Sequence, residues 1–580
     1  MSEPALLPAG EGAVMVDYGG VIAPEVNDRV RRLHRRLQAE RPPGFRESIP
    51  AFSSVLVYFD PLAPDPAEFL AALAGLVREA GEGPLRPGRL LEVPAVYGKE
   101  FGPDLAEVAA RAGLREDEAA AVHAGQTYRV YMIGFLVGFP YLAPVPDRIA
   151  TPRRADPRLE VPAGSIGIAG RQTGIYPIAA PGGWQLVART QACLWDPARH
   201  PPAALQPGDR VRFRALPHAG FGTGSADLPW PEGEAAHPVS RASRSGREVL
   251  RVLAGGLLTT IQDRGRPGYQ EYGVPPGGAL DDVSLRVANR LVGNAESAAA
   301  LEVTGGGLRV EALDRVRVAL AGADLDARVN EDAFLPSCQR VLQPGDRLSF
   351  GSPRQGLRSY LAVAGGVAVG PVLGSRSTCL AAGFGGLSGR ALRAGDVVAT
   401  GEGRQLEPPV TPVPPGLHPA VDGVVTLRLT HGPQAGWLPR QGWETLLGEA
   451  YTVSGASDRM GLRLEGCPPA GPALRELVSE GVPPGAVQIP PSGQPILLLA
   501  DRQTTGGYPK PAVLAAVDLP LAAQLLPGTR VRFCLIEIGE ARRLLAARER
   551  LLAAWSGRAR DFRFTVSGRS YLVTVEELDR

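Results

Sequence analysis

The densest run of chemically capable side chains is Asp501-Arg-Gln-Thr-Thr-Gly-Gly-Tyr-Pro-Lys510, where a carboxylate, two cations, an amide and two hydroxyls surround a Gly-Gly pair. Few structural loops need so many polar groups, and Lys510 adds a compact, tunable amine to a chain whose only other lysine is Lys99. Asp501, Arg502, Gln503, Thr504, Thr505, Tyr508 and Lys510 are therefore candidate site residues. A second run, Gly164 to Pro177, sets glycines beside Arg171, Gln172, Thr173 and Tyr176, and is followed by Trp184 and Arg189. Free backbone N–H groups and guanidinium forks suit a carboxylate or phosphate; equally, the glycines can make tight barrel corners with Arg171 bonding loop carbonyls. Tyr128 to Tyr141 mixes aromatics with glycines, so Tyr128, Phe139 and Tyr141 can wall a ligand. His123 just upstream either titrates near neutrality or is a core histidine. Two more clusters, Gln262-Asp263-Arg264 and Asp458-Arg459, hold Asp-Arg pairs that are either mutual salt bridges or ligand clamps.

The elements that position these groups are mostly β. The 580 residues include 72 Gly and 56 Pro, which favours many turns and short strands, and the length requires several hydrophobic cores. Alternation over the first residues predicts a strand at Ala13–Tyr18, a helix at Pro24–Glu40, a strand at Ser53–Phe59 and a helix at Asp65–Glu79, a small α/β domain spanning 1–94. From Leu90 short apolar runs broken by Pro and Gly predict an antiparallel barrel over 95–217, with one helix at Pro103–Ala112. Residues 218–247 lack periodicity and read as a linker. Tyr272–Asp282 leads into a helix from about Val283 to Leu291, whose N-terminus favours an anion or is simply capped by Asp281 and Asp282. After Glu540 a helix through Trp555 and a hairpin of Phe562–Val566 and Ser570–Val575 form a tail over 541–580, read as a peripheral addition.

Repetition organises the chain further. Leu205-Gln-Pro-Gly-Asp-Arg-Val-Arg-Phe213 recurs as Leu342-Gln-Pro-Gly-Asp-Arg-Leu-Ser-Phe350 and Leu525-Leu-Pro-Gly-Thr-Arg-Val-Arg-Phe533, a Pro-Gly turn followed by an alternating strand. Several related barrels or sheet units follow, in a fold that is mainly β with an α+β N-terminal domain. A second echo sets Arg171-Gln-Thr against Arg502-Gln-Thr, each downstream of a Val-Pro-x-Gly segment, and suggests duplication.

Composition narrows the function. With 62 basic and 60 acidic residues the chain carries no field that would gather nucleic acid or an anionic membrane. Five scattered cysteines and seven histidines without metal-ligand spacing predict reduced thiols and no metal site. No signal peptide or membrane-length apolar run is present, so a cytoplasmic location is expected. No phosphate-binding loop of the G-x-x-x-x-G-K-[ST] type announces a nucleotide.

Taken together the motifs resemble the B and C subunits of the ATP-dependent 5-oxoprolinase, also described as Kip-type proteins and as allophanate hydrolase subunits 1 and 2. The first half resembles the B subunit from Val14 to about Leu216, through Tyr97–Leu105, Gly134–Leu142 and Ser165–Pro177. The second resembles the C subunit from Leu250 to about Ile538, through Thr260–Gly268, Ala288–Asn294, Gly374–Thr378, Ser457–Leu464 and Asp501–Lys510. The resemblance implies a cyclophilin-like barrel in the first half and two related barrels, 248–420 and 421–540, in the second. It also implies ATP-driven cleavage of 5-oxo-L-proline, a cyclic amide, to L-glutamate, with ATP and Mg as cofactors and a separate third subunit as partner; a homo-oligomer is also possible. On that basis Arg171, Gln172, Arg502, Gln503 and Lys510 are expected around the reacting centre. His123, Tyr128, Phe139, Tyr141, Thr173, Tyr176, Trp184, Arg189, Gln262, Asp263, Asp458, Arg459, Asp501, Thr504, Thr505 and Tyr508 are expected to line the substrate. The same halves in opposite order are similar to the carboxyltransferase part of biotin-dependent urea carboxylase, but no Met-Lys-Met follows the tail hairpin, so no biotin attachment site is expected. The Kip name implies a further alternative, an inhibitor of a sensor histidine kinase.

Overall fold

The computed structural model describes residues 3–63, 66–79, 85, 87–222, 227–231, 246–401, 411–418, 421–469, 477–555, 560–566 and 569–575, the last two ranges as backbone only. Pro24–Glu40 forms a helix because proline suits its first turn and Val30, Leu33 and Leu37 fall on one face. With the helix Pro66–Glu79 it covers a four-stranded antiparallel sheet ordered Ala5–Pro8, Ala13–Asp17, Ser54–Phe59, Phe45–Pro50. The opposite sheet face, Met15, Ile49 and Leu56, is also fully buried. A Cβ at Gly481 of the second half would lie only 2.5 Å from Leu56, which shows how closely the halves approach.

The first barrel has seven strands: Leu90–Tyr97, Thr127–Ile133, Pro140–Ala143, Ser165–Ala169, Gln172–Ile175, Gln185–Arg189 and Arg210–Leu216. Around the ring they run first, sixth, fourth, fifth, third, second, seventh, and the seventh closes on the first. A second closed barrel uses Val424–His431, Tyr451–Val453, Gly461–Glu465, Ala486–Gln488, Ile496–Leu498, Ala512–Leu514 and Arg530–Leu535. Its ring runs first, sixth, fourth, fifth, third, second, seventh as well. In both, the seventh strand pairs parallel with the first. The shared order is the structural form of the duplication. The repeated Pro-Gly turns feed these closing strands, with Gly208 (φ 96°) and Gly528 (φ 87°) in a conformation that only glycine adopts without strain.

Residues 247–400 depart from the expected ring. They build a six-stranded and a five-stranded sheet around one core that includes Leu250, Ile261, Leu301, Val318 and Leu361. Register shifts within Arg247–Gly255 interrupt its pairing on both sides, and no hydrogen-bonded ring closes among the described residues. The second echo also needs correction. Arg171 precedes the fifth strand of its barrel, whereas Arg502 follows the fifth strand of the other. The equivalent positions are instead two small ribbons, Arg158–Val161 with Ala180–Gly182 and Glu480–Gly481 with Thr505–Gly506, whose first strands lead into the Val-Pro-x-Gly turns.

The helix Leu105–Ala112 ends at Gly113 (φ 64°), and a further helix, Glu116–Ala124, follows it unannounced. Part of the expected linker, 223–226 and 232–245, lies outside the described residues. Its described part packs on the first barrel, where Leu228 is buried and Trp230 Nε1 donates to the Pro201 carbonyl at 2.6 Å. The tail helix Ile538–Ala554 is not peripheral. Leu552 and Trp555 are buried against the helix Asp282–Leu291, and Glu549 pairs with Arg286 at 2.8 Å. Beyond it Arg560–Val566 pairs antiparallel with Arg569–Val575, the expected hairpin; Ser567 and Gly568 at its turn lie outside the described residues. No described helix is long and apolar enough to cross a membrane.

Candidate functional site at the junction of the halves

The loop Asp501–Lys510 lies where the halves meet. Thr505 Oγ1 accepts the Phe135 N–H at 2.9 Å, and Gly134 permits the approach, since a Cβ there would sit 2.1 Å from that oxygen. The first half contributes a wall of Phe139, Tyr141, Tyr176 and Trp184, packed edge-to-face with centroids 5.0 to 5.8 Å apart. The Tyr141 hydroxyl is hydrogen-bonded to Ser479 and Thr505, and burial pushes its pKa up.

Arg502 is buried and fully committed. Its Nε donates to the Val482 carbonyl at 2.9 Å, and Nη2 donates to Gln270 Oε1 at 2.8 Å and to the Tyr58 hydroxyl at 3.1 Å. Gln270 in turn donates to Glu47 at 2.7 Å, and burial raises the pKa of that carboxyl against these bonds. Arg502 thus ties the N-terminal α/β domain, the Thr260–Tyr272 segment and the second barrel together.

Lys510 is wholly buried, with Nζ 2.7 Å from Glu480 Oε1. Gln434 completes the cluster, donating to Glu480 at 2.8 Å and accepting the Lys510 N–H at 3.1 Å. Beside it Gln503 Nε2 donates to Gln488 Oε1 at 3.2 Å, while Gln488 Nε2 and Thr504 Oγ1 are buried without partners among the described residues. Gly506 faces both amides, its virtual Cβ 3.0 Å from Gln488 Nε2 and 3.4 Å from Gln503 Nε2. Unused donors against a bare backbone make a niche suited to a small neutral polar ligand.

A second cluster supports this loop from behind. Arg459 donates from Nε to Asp501 Oδ2 at 2.8 Å, from Nη1 to Glu302, and from Nη2 to the Gly278 carbonyl at 2.7 Å. Burial alone would push the Glu302 carboxyl up, yet Arg459 and Arg358 hold it below the usual range. Asp458 turns away and accepts the Met460 N–H at 2.8 Å, so the Asp458–Arg459 pair is not mutual. Nor is Asp263 paired with Arg264. Asp263 accepts the hydroxyls of Ser375 and Ser377 at 2.6 and 2.5 Å and the Arg376 N–H at 2.6 Å, and Gln262 donates to Thr260 and to the Thr378 carbonyl.

Other expected residues stand elsewhere. His123, Tyr128 and Thr173 lie inside the first barrel. The His123 ring nitrogens are 2.8 Å from the Tyr97 hydroxyl and 3.0 Å from Thr173 Oγ1, and Tyr128 bonds the His123 carbonyl. Burial pushes the imidazole pKa down to about 3, so this is a neutral core histidine. Arg171 is exposed and pairs with Asp147 at 2.9 Å; Gln172 beside it is half-buried. Arg189 Nε donates to the Ala163 carbonyl at 2.8 Å. The Asp282–Leu291 helix is capped by Asp281, which accepts the Ser284 N–H at 2.9 Å. Glu480, Gln434, Gln488 and Glu302 escaped sequence reasoning because nothing near them in the chain marks them. A lone buried-type lysine does signal that some carboxylate must meet it, without saying which.

Comparison with known proteins follows the same division. The carboxyltransferase domain, subdomain C and D, matches residues 4–205, and the carboxyltransferase domain, subdomain A and B, matches residues 272–535. The chain belongs to the carboxyltransferase-domain family. Within that family it is 44% identical over 206 residues to the B subunit of 5-oxoprolinase from Escherichia coli O157:H7, covering 35% of this chain and 92% of the relative. It is 39% identical over 293 residues to the C subunit of 5-oxoprolinase from Escherichia coli K12, covering 50% of this chain and 93% of the relative. The crystal structure of TTHA0988 superposes with a TM-score of 0.76 at 35% identity, covering 90% of this chain and 99% of that one. This carboxyltransferase-domain chain therefore joins a B-like and a C-like half in one polypeptide.

Proposed function

We propose that this chain is the fused B–C component of an ATP-dependent 5-oxoprolinase, which opens 5-oxo-L-proline to L-glutamate together with a separate third subunit in the cytoplasm. The observation that carries the proposal is the junction itself: a polar loop of the C-like half, with unused amide and hydroxyl groups, lies against the aromatic wall of the B-like half. Gln488, Gln503 and Thr504 would hold the cyclic amide, Lys510 with Glu480 would set the local charge, and Arg502 would brace the loop. Arg171 and Gln172 lie outside this arrangement.

ATP does not fit the Asp501–Lys510 loop and the Arg459 cluster behind it. Its cations are already engaged, Lys510 by Glu480 and Arg459 by Glu302 and Asp501, and Arg502 is spent on neutral acceptors. We therefore derive no step through ATP on these side chains. The test is glutamate release from 5-oxoproline with ATP, measured for this chain, for the third subunit and for the mixture. Activity in the mixture alone supports the proposal. A folded, inactive mixture refutes it and turns attention to bicarbonate-dependent carboxyl transfer with a biotinylated carrier.

A further inference from the structure

Arg266 is fully buried, yet among the described residues its Nε and Nη1 have no hydrogen-bond partner. Nη2 donates to the Ser377 carbonyl, and the guanidinium carbon lies 4.8 Å from the centre of the Phe384 ring. Two carboxylates act on it through space, but neither is free to pair: Asp263 is held by Ser375, Ser377 and Arg376, and Asp501 by Arg459. Among the described residues no ion pair to Arg266 forms. A guanidinium keeps its charge under any such burial, and an unpaired buried charge is costly, so folding alone does not favour an arginine here.

The unused Nη1 faces bare backbone. A Cβ on Gly277 would lie 3.2 Å from Arg266 Nη1 and 3.6 Å from Asp501 Oδ1, with no other described atom within 4 Å, whereas one on Gly385 would meet the Ser377 carbonyl that Nη2 already bonds. Glycine at 277, with φ of 60°, leaves room beside Nη1 that any side chain would fill. The surrounding apolar group, Val274, Val372, Cys379 and Phe384, is joined by Val137 and Trp195 from the first half.

We propose that Arg266 anchors a small-oxyanion site between the halves, one that takes a single carboxylate or phosphate group. The inference stands on the unpaired guanidinium and the glycine wall at Gly277, independently of the 5-oxoprolinase reading. Calorimetric titration of the full chain with L-5-oxoproline and, separately, with inorganic phosphate tests it, alongside the variants R266M and G277A. The expected result is binding of at least one probe that weakens by roughly tenfold or more in R266M, with R266M alone unfolding at the wild-type temperature or above it. Binding of 5-oxoproline alone identifies a substrate carboxylate; binding of phosphate alone identifies a phosphoryl source. If R266M fails to fold, G277A carries the test, because it keeps the arginine and sets a methyl against Nη1. Equal affinity in wild type and the folded variant, or binding of neither probe, overturns the site. Because the readout is binding, its failure is distinct from a failure to release glutamate.

Discussion

Replacing His123 with glutamine tests the interior of the first barrel quantitatively. The imidazole is buried between Tyr97, Thr173 and Phe213, and burial lowers its pKa from 6.5 to about 3. In the unfolded chain the same ring titrates near 6.5. Below that pH the unfolded state therefore binds a proton that the folded state refuses, and stability falls as pH falls toward 3. The limiting slope is about 1.4 kcal/mol per pH unit, which integrates to about 2 kcal/mol between pH 8 and pH 5. His123→Gln removes that contribution, so the variant, although destabilised at pH 8 by imperfect replacement of two hydrogen bonds, should lose about 2 kcal/mol less than the wild type on going to pH 5. Urea unfolding followed by tryptophan fluorescence measures both curves, and the imidazole proton resonances identify His123 by its absence from the variant. A His123 resonance that titrates near neutrality in the folded protein, or parallel losses of stability, would refute the reasoning and restore His123 as a candidate ligand group.

Three further outcomes are expected. Lys510→Met strands the Glu480 carboxylate in a buried position and should cost about 3 to 5 kcal/mol, part of which K510M/E480Q recovers; urea unfolding of the single and double variants checks the cycle. Gly134→Ala drives a methyl into Thr505 and should loosen the junction by about 1 to 3 kcal/mol, read as a lower urea unfolding midpoint. Asp281, whose carboxyl burial pushes up to about 6, holds its proton in the folded state to higher pH than in the unfolded state, so it makes stability fall between about pH 4 and 6, by up to about 3 kcal/mol; Asp281→Asn should flatten that slope in the same assay.

The parts of the fold visible in the sequence are those governed by local physics. Pro24–Glu40 declared itself through a proline start and one apolar face, and the closing strands through Pro-Gly turns whose glycines take positive φ. Glu116–Ala124 did not, because its alanines carry little periodic contrast. Ring order was illegible, since it depends on pairings between strands far apart in the chain. Arg171 misled for a related reason: the words Arg-Gln-Thr do not encode which side of a strand they occupy. In the site, Lys510 was legible by its rarity, but Gln434, 76 residues away, became a neighbour only through barrel closure. Arg266 lies within the Thr260–Gly268 motif, but nothing in the sequence distinguishes it there, because solitude inside a protein is a property of three dimensions.

The parallel closing strand also fixes when each barrel can be completed. Arg210–Leu216 lies between Leu90–Val96 and Thr127–Arg129, so it must enter a gap between the two earliest strands of its own barrel. During synthesis the other six strands can assemble, but both edges of that gap stay bare until residue 216 leaves the ribosome, and bare edges recruit other chains. The second barrel repeats the situation, with Val424–Leu429 waiting for Arg530–Leu535. A nascent chain arrested shortly before either closing strand should therefore be a preferred client of chaperones, whereas one extended just past it should be released.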